Sequence, residues 1–317
     1  MPGTLIVSLD FELFWGMLDQ CPLEDYQENV LGGRAAIPRL LDLFERHGIH
    51  ATWATVGFMF AENAWELDQY LPPKSDYPNY RNFLLSPYKR MKWIRENVKL
   101  TPFFFAQSLI RQIADTPGQE IGTHTFSHYY CREEGQTTEQ FKADLQAALA
   151  IAKAHGYSLT SAVLPRNQTT AECAVALKEA GITVYRAEED DWIHRHVKFR
   201  PLMRVLRLLD VYFPLTGKGG YVPKDEDGIL NVIGSRMYKP YFKKLAFLEG
   251  LKIRRIKKQM LHAAKKGLTF HLWWHPHNIG VHTDLHFRQL EEIFSYYDEL
   301  KEKYQMKSIN MGEARKS

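Results

Sequence analysis

Residues 5–12 read LIVSLDFE, a short apolar run ending in acids, and they open the pattern that decides the fold. The run is too short for a helix, so it predicts a buried strand. After a break expected at Gly32-Gly33, residues 35–47 carry apolar side chains at helical spacing. Residues 50–57, HATWATVG, then read as a second strand. A strand, a helix and another strand in this order predict a parallel sheet or barrel.

The same alternation of strands and helices continues along the chain. Further strands are predicted at residues 119–122, 161–164, 182–185, 229–233 and 268–275, with a short closing strand at 306–310. The predicted fold is therefore α/β, a distorted barrel of the (β/α)7 type.

The alternation of strands and helices is interrupted in two stretches. We interpret both as insertions in a single domain that spans residues 1–317. The first, at about 66–101, is rich in proline and tyrosine, and we expect it to form part of the substrate cleft. The second, at about 187–228, has weak periodicity. Neither stretch resembles a linker that would divide the chain into two domains.

Composition places the chain among ordinary globular proteins and excludes several classes. Of its 317 residues, 45% are hydrophobic and 25% are charged, and the formal net charge of +4 gives no case for nucleic acid as a partner. The three cysteines are scattered, which favours a reducing compartment. No signal peptide is recognisable, and no run reaches the roughly 18 apolar residues of a transmembrane helix. We therefore expect a cytoplasmic protein, with peripheral contact at the inner membrane face left open.

Residues 120–128, EIGTHTFSH, place His124 and His128 four positions apart after the third strand. Imidazole is the commonest zinc ligand, and a catalytic site usually adds one carboxylate and leaves one position open. Glu12 can supply that carboxylate, because the carboxyl ends of parallel strands share one face. We predict one divalent metal here, with Zn2+ favoured and Co2+, Ni2+ or Fe2+ as alternatives. In the alternative reading, Glu12 supports the ligands without touching the metal.

Three further residues at predicted strand ends suit proton transfer. Asp10 lies on the same side of its strand as the candidate carboxylate ligand and can act as general base toward a water molecule. Arg166, after the fourth strand, would pair with Asp10 and keep it ionised. His275, at the end of the seventh strand, would protonate the leaving group, and His271 and His277 compete with it for this role.

Four residues close to these strand ends are candidates for contact with a substrate. They are Trp53, Trp273, His277 and Asn278. Tryptophan is also a frequent core residue, so the two tryptophans have a second, purely structural interpretation.

Taken together, these motifs resemble those of the polysaccharide deacetylases, the NodB-like carbohydrate esterases. Residues 8–12, SLDFE, are similar to the family's Thr-Phe-Asp-Asp motif, and residues 124–128 match its His-[Ser/Thr]-x-x-His motif in full. Residues 272–275, LWWH, match its apolar strand that ends in histidine. Residues 51–57 are similar to its Ala-Thr-Phe-Phe-x-x-Gly strand, whereas 165–168, PRNQ, match its Arg-Pro-rich motif only loosely.

The resemblance implies a metal-dependent hydrolase with the NodB-like barrel shared by glycoside hydrolases and deacetylases. It would remove an N-acyl group, with acetyl favoured, from an amino sugar in a glycan or a lipid-linked saccharide. Asp10 would be the base, the histidine pair metal ligands, and His275 the acid. The family's usual carboxylate ligand falls at Phe11, so Glu12 marks a divergent branch with an Asp-Phe-Glu motif. A metal-independent amidase like the allantoinases and a non-catalytic glycan-binding barrel are the alternatives.

Two segments combine Lys and Arg with apolar residues at helical spacing, residues 199–212 and residues 243–266. Basic amphipathic helices can contact an anionic bilayer or a phosphate on a lipid-linked sugar. In the alternative interpretation they are outer helices of the barrel with a solvated basic face. In the second segment the apolar residues concerned are Leu251, Ile253, Ile256, Met260 and Leu261.

Overall fold

A computed structural model describes residues 1–188, 191–197 and 199–316, and its strands form one sheet. The order across the sheet is β6-β7-β5-β4-β3-β2-β1-β9-β8, with β10 beside β1, and in the described residues only β6 and β7 pair antiparallel. This confirms the predicted α/β class with parallel strands. The bounds are β1 (Thr4–Phe11), β2 (Ala51–Thr55), β3 (Gln119–Thr123), β4 (Ser161–Val163), β5 (Val184–Arg186), β6 (Lys224–Glu226), β7 (Ile229–Asn231), β8 (Arg236–Met237), β9 (Thr269–Trp274) and β10 (Lys307–Ile309).

Helices lie between most of the strands. In the described part of the chain, no helix has an apolar stretch long enough to cross a membrane. The bounds are α1 (Gln27–His47), α2 (Ala64–Leu67), α3 (Met91–Glu96), α4 (Thr101–Phe104), α5 (Gln107–Asp115), α6 (Thr138–Ala154), α7 (Ala171–Glu179), α8 (Trp192–His196), α9 (Arg200–Tyr212), α10 (Glu249–Lys266), α11 (Thr283–Tyr304) and α12 (Met311–Ala314).

One short stretch of chain connects the two ends of the sheet. Strand β7 pairs with β5, and the next strand, β8, pairs with β9 on the other side of β1. Next to β8, the amide of Ser235 donates to the carbonyl of His271 and the amide of Tyr238 to that of Trp273, at 2.9 and 2.8 Å. The sheet edges therefore approach each other, as in a distorted barrel.

Alternation along β1 separates an apolar face from a polar one. Val7, Leu9 and Phe11 are fully buried in the core formed between the sheet and the helices. Ser8 and Asp10 point to the opposite side, where both bind the side chain of a buried arginine. Because side chains alternate strictly in a strand, this register delivers Asp10 to the polar interior at the carboxyl end of β1.

Helix α1 corrects the break predicted at Gly32-Gly33, because the helix runs through both glycines. A Cβ at Gly33 would lie 2.7 Å from Cα of His277, and one at Gly32 would lie 2.0 Å from the carbonyl oxygen of Gly280. The glycines are needed for close packing of α1 against the turn after β9, and they do not end the helix.

Helix α10 packs against the sheet as an outer helix of the fold. Ile253, Ile256 and Met260 are at most 3% exposed and belong to the main hydrophobic core. Arg255 is also buried and pairs with Asp210 of α9 at 2.7 Å. Ile253, Ile256 and Met260 therefore cannot contact a bilayer as that interpretation requires, since they already contact the core, whereas Leu251 is 36% exposed.

Candidate active site

Glu12, His124 and His128 meet at the carboxyl ends of β1 and β3. Oε2 of Glu12 is 2.8 Å from Nε2 of His128 and 3.3 Å from Nε2 of His124. All three residues are buried, and one ligand atom from each lies within 4.8 Å of the others. Nδ1 of His124 donates a 2.7 Å hydrogen bond to the carbonyl oxygen of Val163, which turns Nε2 toward Glu12.

This donor set fits a divalent metal. Two imidazole nitrogens and one carboxylate oxygen are the protein ligands found in several catalytic zinc sites. Burial raises the pKa of Glu12, but the charges of His275 and His128 and hydrogen bonds from His124 and His128 outweigh it and hold the pKa well below its usual range. Burial lowers the pKa of His128. Glu12 is therefore ionised and His128 neutral near neutral pH, which are the states that metal ligands require.

Gly16 leaves the space that the Glu12 carboxylate occupies. A Cβ at this position would lie 2.1 Å from Oε1 and 2.5 Å from Oε2 of Glu12. Gly16 was not among the residues predicted from sequence, because an absent side chain gives no chemical signal.

The turn that carries the histidine pair is held by a buried carboxylate of α6. Thr125 and His128 have left-handed φ values of 66° and 57°, which non-glycine residues rarely adopt. Asp144 accepts hydrogen bonds from the amides of Phe126 (2.7 Å) and Ser127 (3.1 Å) and from the Ser127 hydroxyl. Burial raises the pKa of Asp144 to about 6, although these donors act in the opposite direction.

Arg186, not Arg166, pairs with Asp10. One guanidinium nitrogen of Arg186 donates to Oδ2 of Asp10 at 2.7 Å, and another donates to the hydroxyl oxygen of Ser8 at 2.8 Å. The arginine is fully buried, and its guanidinium lies 4.3 Å from the ring centroid of Trp273. The predicted pairing of Arg166 with Asp10 is wrong.

The backbone explains why Arg166 points elsewhere. It lies in the turn after β4 with a left-handed φ of 56°, donates to Asp19 at 2.6 Å, and covers the ring of Tyr130 at 4.6 Å. Arg186 is the last residue of β5, whereas the predicted strand ended at Tyr185. The rule that strand ends carry the site would have identified Arg186 if the strand had been extended by one residue.

The environment of Asp10 favours its ionised form. Burial raises its pKa, but the charges of Arg186, His275 and His124 outweigh burial and hold the pKa below its usual value. Oδ2 accepts the hydrogen bond from Arg186, whereas Oδ1 has no hydrogen-bond partner among the described residues. A buried carboxylate oxygen without a partner is available to take up a proton.

His275 faces both carboxylates. Its Nε2 lies 3.6 Å from Oδ2 of Asp10 and 3.7 Å from Oε1 of Glu12, and the side-chain amide of Asn278 donates to its Nδ1 at 3.2 Å. The side chain of His275 is 21% exposed, against 4% for His277. Burial lowers the pKa of His277 to about 3, so His277 stays neutral across the physiological range.

His271 lies beneath the site. It is fully buried, and its Nε2 lies 2.7 Å from the hydroxyl oxygen of Ser8, which also accepts from Arg186. Burial holds the pKa of His271 well below its usual value, so His271 is neutral and supplies no acid.

A cavity of about 460 Å³ is lined by Asp10, Glu12, His128 and His275, among other residues. Segment 187–228 supplies part of its wall, and among the described residues none from 66–101 lines it. The first insertion, expected to form part of the substrate cleft, therefore does not line this cavity in the described chain, whereas the second insertion supplies part of its wall. The residues contributed by the second insertion include Glu188, Asp191, Arg207, Asp210, Val211 and Thr216.

Three of the four candidate substrate contacts line the cavity, namely Trp273, His277 and Asn278. Trp53 does not, because the alternation of β2 turns it to the helix layer. It is fully buried, packs edge-on against Phe11 with ring centroids 6.1 Å apart, and belongs to the hydrophobic core. The prediction that Trp53 contacts substrate is wrong.

Comparison with known proteins agrees with this fold. Residues 17–185, just over half of the chain, match the family model described as polysaccharide deacetylase. The matched region contains His124 and His128, whereas Asp10, Glu12 and His275 lie outside it. No curated protein matches the chain by sequence.

Solved structures extend the likeness to the whole chain. A Mycobacterium smegmatis protein assigned to the polysaccharide deacetylases gives a TM-score of 0.61 at 13% identity, covering 100% of this chain and 90% of that one. The PuuE allantoinase gives 0.59 at 11% identity, covering 99% and 88%. A Pseudomonas aeruginosa PAO1 protein assigned to the polysaccharide deacetylases gives 0.54 at 12% identity, covering 99% and 89%. At these identities the structures share a fold.

Proposed function

Because this chain belongs to the polysaccharide deacetylase family, we propose that it is a metal-dependent hydrolase that removes an N-acyl group from an amino sugar. Acetyl is the favoured acyl group, and the sugar is part of a glycan or a lipid-linked saccharide. The observation that carries this proposal is the convergence of the buried Glu12–His124–His128 cluster with Asp10 and His275 around one cavity.

Glu12, His124 and His128 would hold the metal, for which Zn2+ is the favoured ion and Co2+, Ni2+ or Fe2+ are alternatives. When bound at such a site, the ion polarises the amide carbonyl and makes a water molecule more acidic. The chain supports this role through the ionised Glu12 carboxylate and through the Val163 carbonyl, which orients His124.

Asp10 would act as the general base. Its Oδ2 is held by Arg186, and its buried Oδ1 has no hydrogen-bond partner in the described chain. Arg186 therefore orients the carboxylate and keeps it ionised, so that Oδ1 can take a proton from the attacking water.

His275 would act as the general acid. Water adds its oxygen to the acyl carbon, the C–N bond breaks, and His275 gives a proton to the departing amine nitrogen. The products are a free amine on the sugar and the carboxylate of the acyl group. The exposure of His275 and its orientation by Asn278 support this assignment over His277 and His271, which are nearly or fully buried.

Residues of the cavity wall would bind the sugar. Trp273 offers an aromatic surface, and His277 and Asn278 offer polar atoms close to the proposed general acid, His275. Arg166 also lines the cavity, which supports a role in substrate contact and not in orienting the base.

A substrate screen tests the proposal. Acetate release is measured over N-acetylated monosaccharides, oligosaccharides and lipid-linked saccharides, with wild type and Asp10→Asn in parallel. We expect release by wild type from at least one class and a loss of about two orders of magnitude or more in Asp10→Asn. Undiminished turnover by Asp10→Asn would contradict the assigned base. Saccharide binding with no release from any class would indicate a non-catalytic glycan-binding barrel.

A further inference from the structure

Helix α9 presents apolar side chains to solvent. Leu202, Val205, Leu208 and Leu209 are between 42% and 54% exposed, and Phe213 and Leu215 just beyond the helix are 43% and 37% exposed. A helix of a globular domain ordinarily turns its apolar stripe to the core, and contiguous exposed patches usually mark interaction sites. We call these six residues the rim patch, because α9 also borders the active-site cavity through Arg207, Asp210 and Val211.

Asp210, near the end of α9, is buried in an ionic network, which fixes the helix in this orientation. Oδ2 of Asp210 accepts from Arg236 and Oδ1 accepts from Arg255, both at 2.7 Å, and the amide of Thr216 donates to Oδ1 at 2.7 Å. Rotating the apolar side inward would expose or break this buried ionic network, at a high cost in free energy. Exposure of the rim patch is therefore a property of the fold and not of one side-chain rotamer.

Basic residues surround the rim patch. Arg204, Arg207 and Lys218 are exposed, and Asp210, the single acidic residue in sequence positions 201–220, is already paired with two arginines. Beside the patch, Lys218, Lys258 and Lys265 line a mainly apolar groove of about 390 Å³ between the segment after α9 and helix α10. Exposed apolar side chains framed by cations complement a surface that is apolar inside and negatively charged outside.

We propose that the rim patch and this groove dock the chain on a bilayer that contains anionic lipid. The apolar side chains enter the boundary between headgroups and acyl chains, and the cations lie at the level of the lipid phosphates. A second copy of the chain fits less well, because a two-fold contact would place the same cations of both copies against each other. Docking in this manner places the mouth of the active-site cavity next to the membrane surface.

Sedimentation with vesicles tests the inference, which does not depend on catalysis because no substrate is turned over. The full chain is mixed with phosphatidylcholine vesicles, with or without phosphatidylglycerol. Wild type should sediment with the anionic vesicles and be released as salt is raised. The double variant Val205→Glu/Leu209→Glu should bind them at least about tenfold more weakly, since it loses two apolar anchors and gains two negative charges. Val175→Glu, an exposed valine of α7, should bind like wild type.

Circular dichroism and thermal unfolding check that the variants keep the fold, and Leu202→Ser/Leu208→Ser provides a milder second test. Equal recovery of wild type with neutral and anionic vesicles would overturn the proposal, as would a folded double variant that binds like wild type. A wild-type dimer that the double variant dissociates, together with no vesicle binding, would assign the rim patch to a second copy of this chain.

Discussion

At the scale of single residues, two arginines at the ends of neighbouring strands make different contacts. Arg186 donates to Asp10 and Ser8 at once, whereas Arg166 binds Asp19 at the cavity wall. We expect Arg186→Lys to lower kcat by about a hundredfold, because one ammonium cannot reproduce the two directed hydrogen bonds. Arg166→Lys should change mainly KM. Steady-state kinetics of acetate release would measure both, and a larger loss of kcat in Arg166→Lys would contradict the assignment of Arg186.

Gly16 provides a second test at this scale. In Gly16→Ala the new methyl group would overlap the Glu12 carboxylate, which must move. We expect the affinity for Zn2+ to fall by about 10- to 100-fold, as for other displaced supports of metal ligands. Gly250→Ala, in α10 with open space around the new methyl group, is the matched control and should bind Zn2+ like wild type. Calorimetric titration would compare them, and equal affinities would show that Glu12 is not a ligand.

Several of the polar residues around the cavity could be predicted from sequence, for a physical reason. Asp10, Glu12 and His275 follow apolar strands whose carboxyl ends must meet at one edge of a parallel sheet. Arg186 and Gly16 could not be found in the same way. Arg186 is missed because the strand predicted from sequence ends one residue before it, at Tyr185. Gly16 is missed because it contributes by having no side chain.

At the scale of elements, the turn from His124 to His128 depends on a buried acid in α6. Asp144 falls on the apolar face of that helix, between Phe141 and Leu145. An acid at a core position of a helix is a signal that sequence reading could have used. Its partners could not be foreseen, because they are backbone amides of a turn with left-handed residues, which no spacing rule predicts.

The raised pKa of Asp144 predicts a specific pH dependence of stability. The pKa is about 6 in the folded chain and about 3.9 in an unfolded one. Between these values the folded state binds more protons, so this group's stabilising contribution is full below about pH 4 and is lost as the pH rises through 6. Between pH 4 and 7, the free energy of unfolding of wild type should therefore fall by up to about 3 kcal/mol more than that of Asp144→Asn. Urea unfolding at each pH measures this, and parallel profiles would contradict it.

The spacing of apolar residues predicts where helices form, but the bounds of a helix and the face that it buries also depend on tertiary packing. Helix α1 runs through Gly32-Gly33 because the turn after β9 approaches its backbone, a contact between distant segments that local propensity cannot contain. In α10 the sequence showed basic and apolar residues, but only the tertiary structure shows that Ile253 and Ile256 are in the core and Arg255 in an ionic network. Helix α9 also combines basic and apolar residues, but Leu202, Val205, Leu208 and Leu209 are exposed.

At the scale of the whole molecule, the parallel sheet brings together side chains from both ends of the chain. The fold class was predictable, because apolar strands alternate with helices over most of the sequence. The approach of the two sheet edges was not, because β8 is only two residues long and its pairing with β9 depends on the neighbouring segment.

Metal binding should stabilise this assembly, because Glu12 and the histidine pair come together only in the folded chain. At a Zn2+ concentration of 100 times Kd, the free energy of unfolding should rise by about 2.7 kcal/mol. His128→Ala should remove most of this increase. His50→Ala, which changes a partly exposed histidine that binds Glu313, should keep it. Chemical unfolding with and without Zn2+ measures the difference, and an equal increase in both variants would place the metal elsewhere.

The most direct test of the account is the dependence of acetate release on the metal. Wild type is assayed on the substrate found in the screen, first untreated, then after chelation and dialysis, and finally after Zn2+ is restored. If Glu12, His124 and His128 hold the catalytic metal, chelation abolishes release and Zn2+ restores it. Release that chelation leaves unchanged, from protein with no bound metal, would contradict the account and indicate a metal-independent amidase.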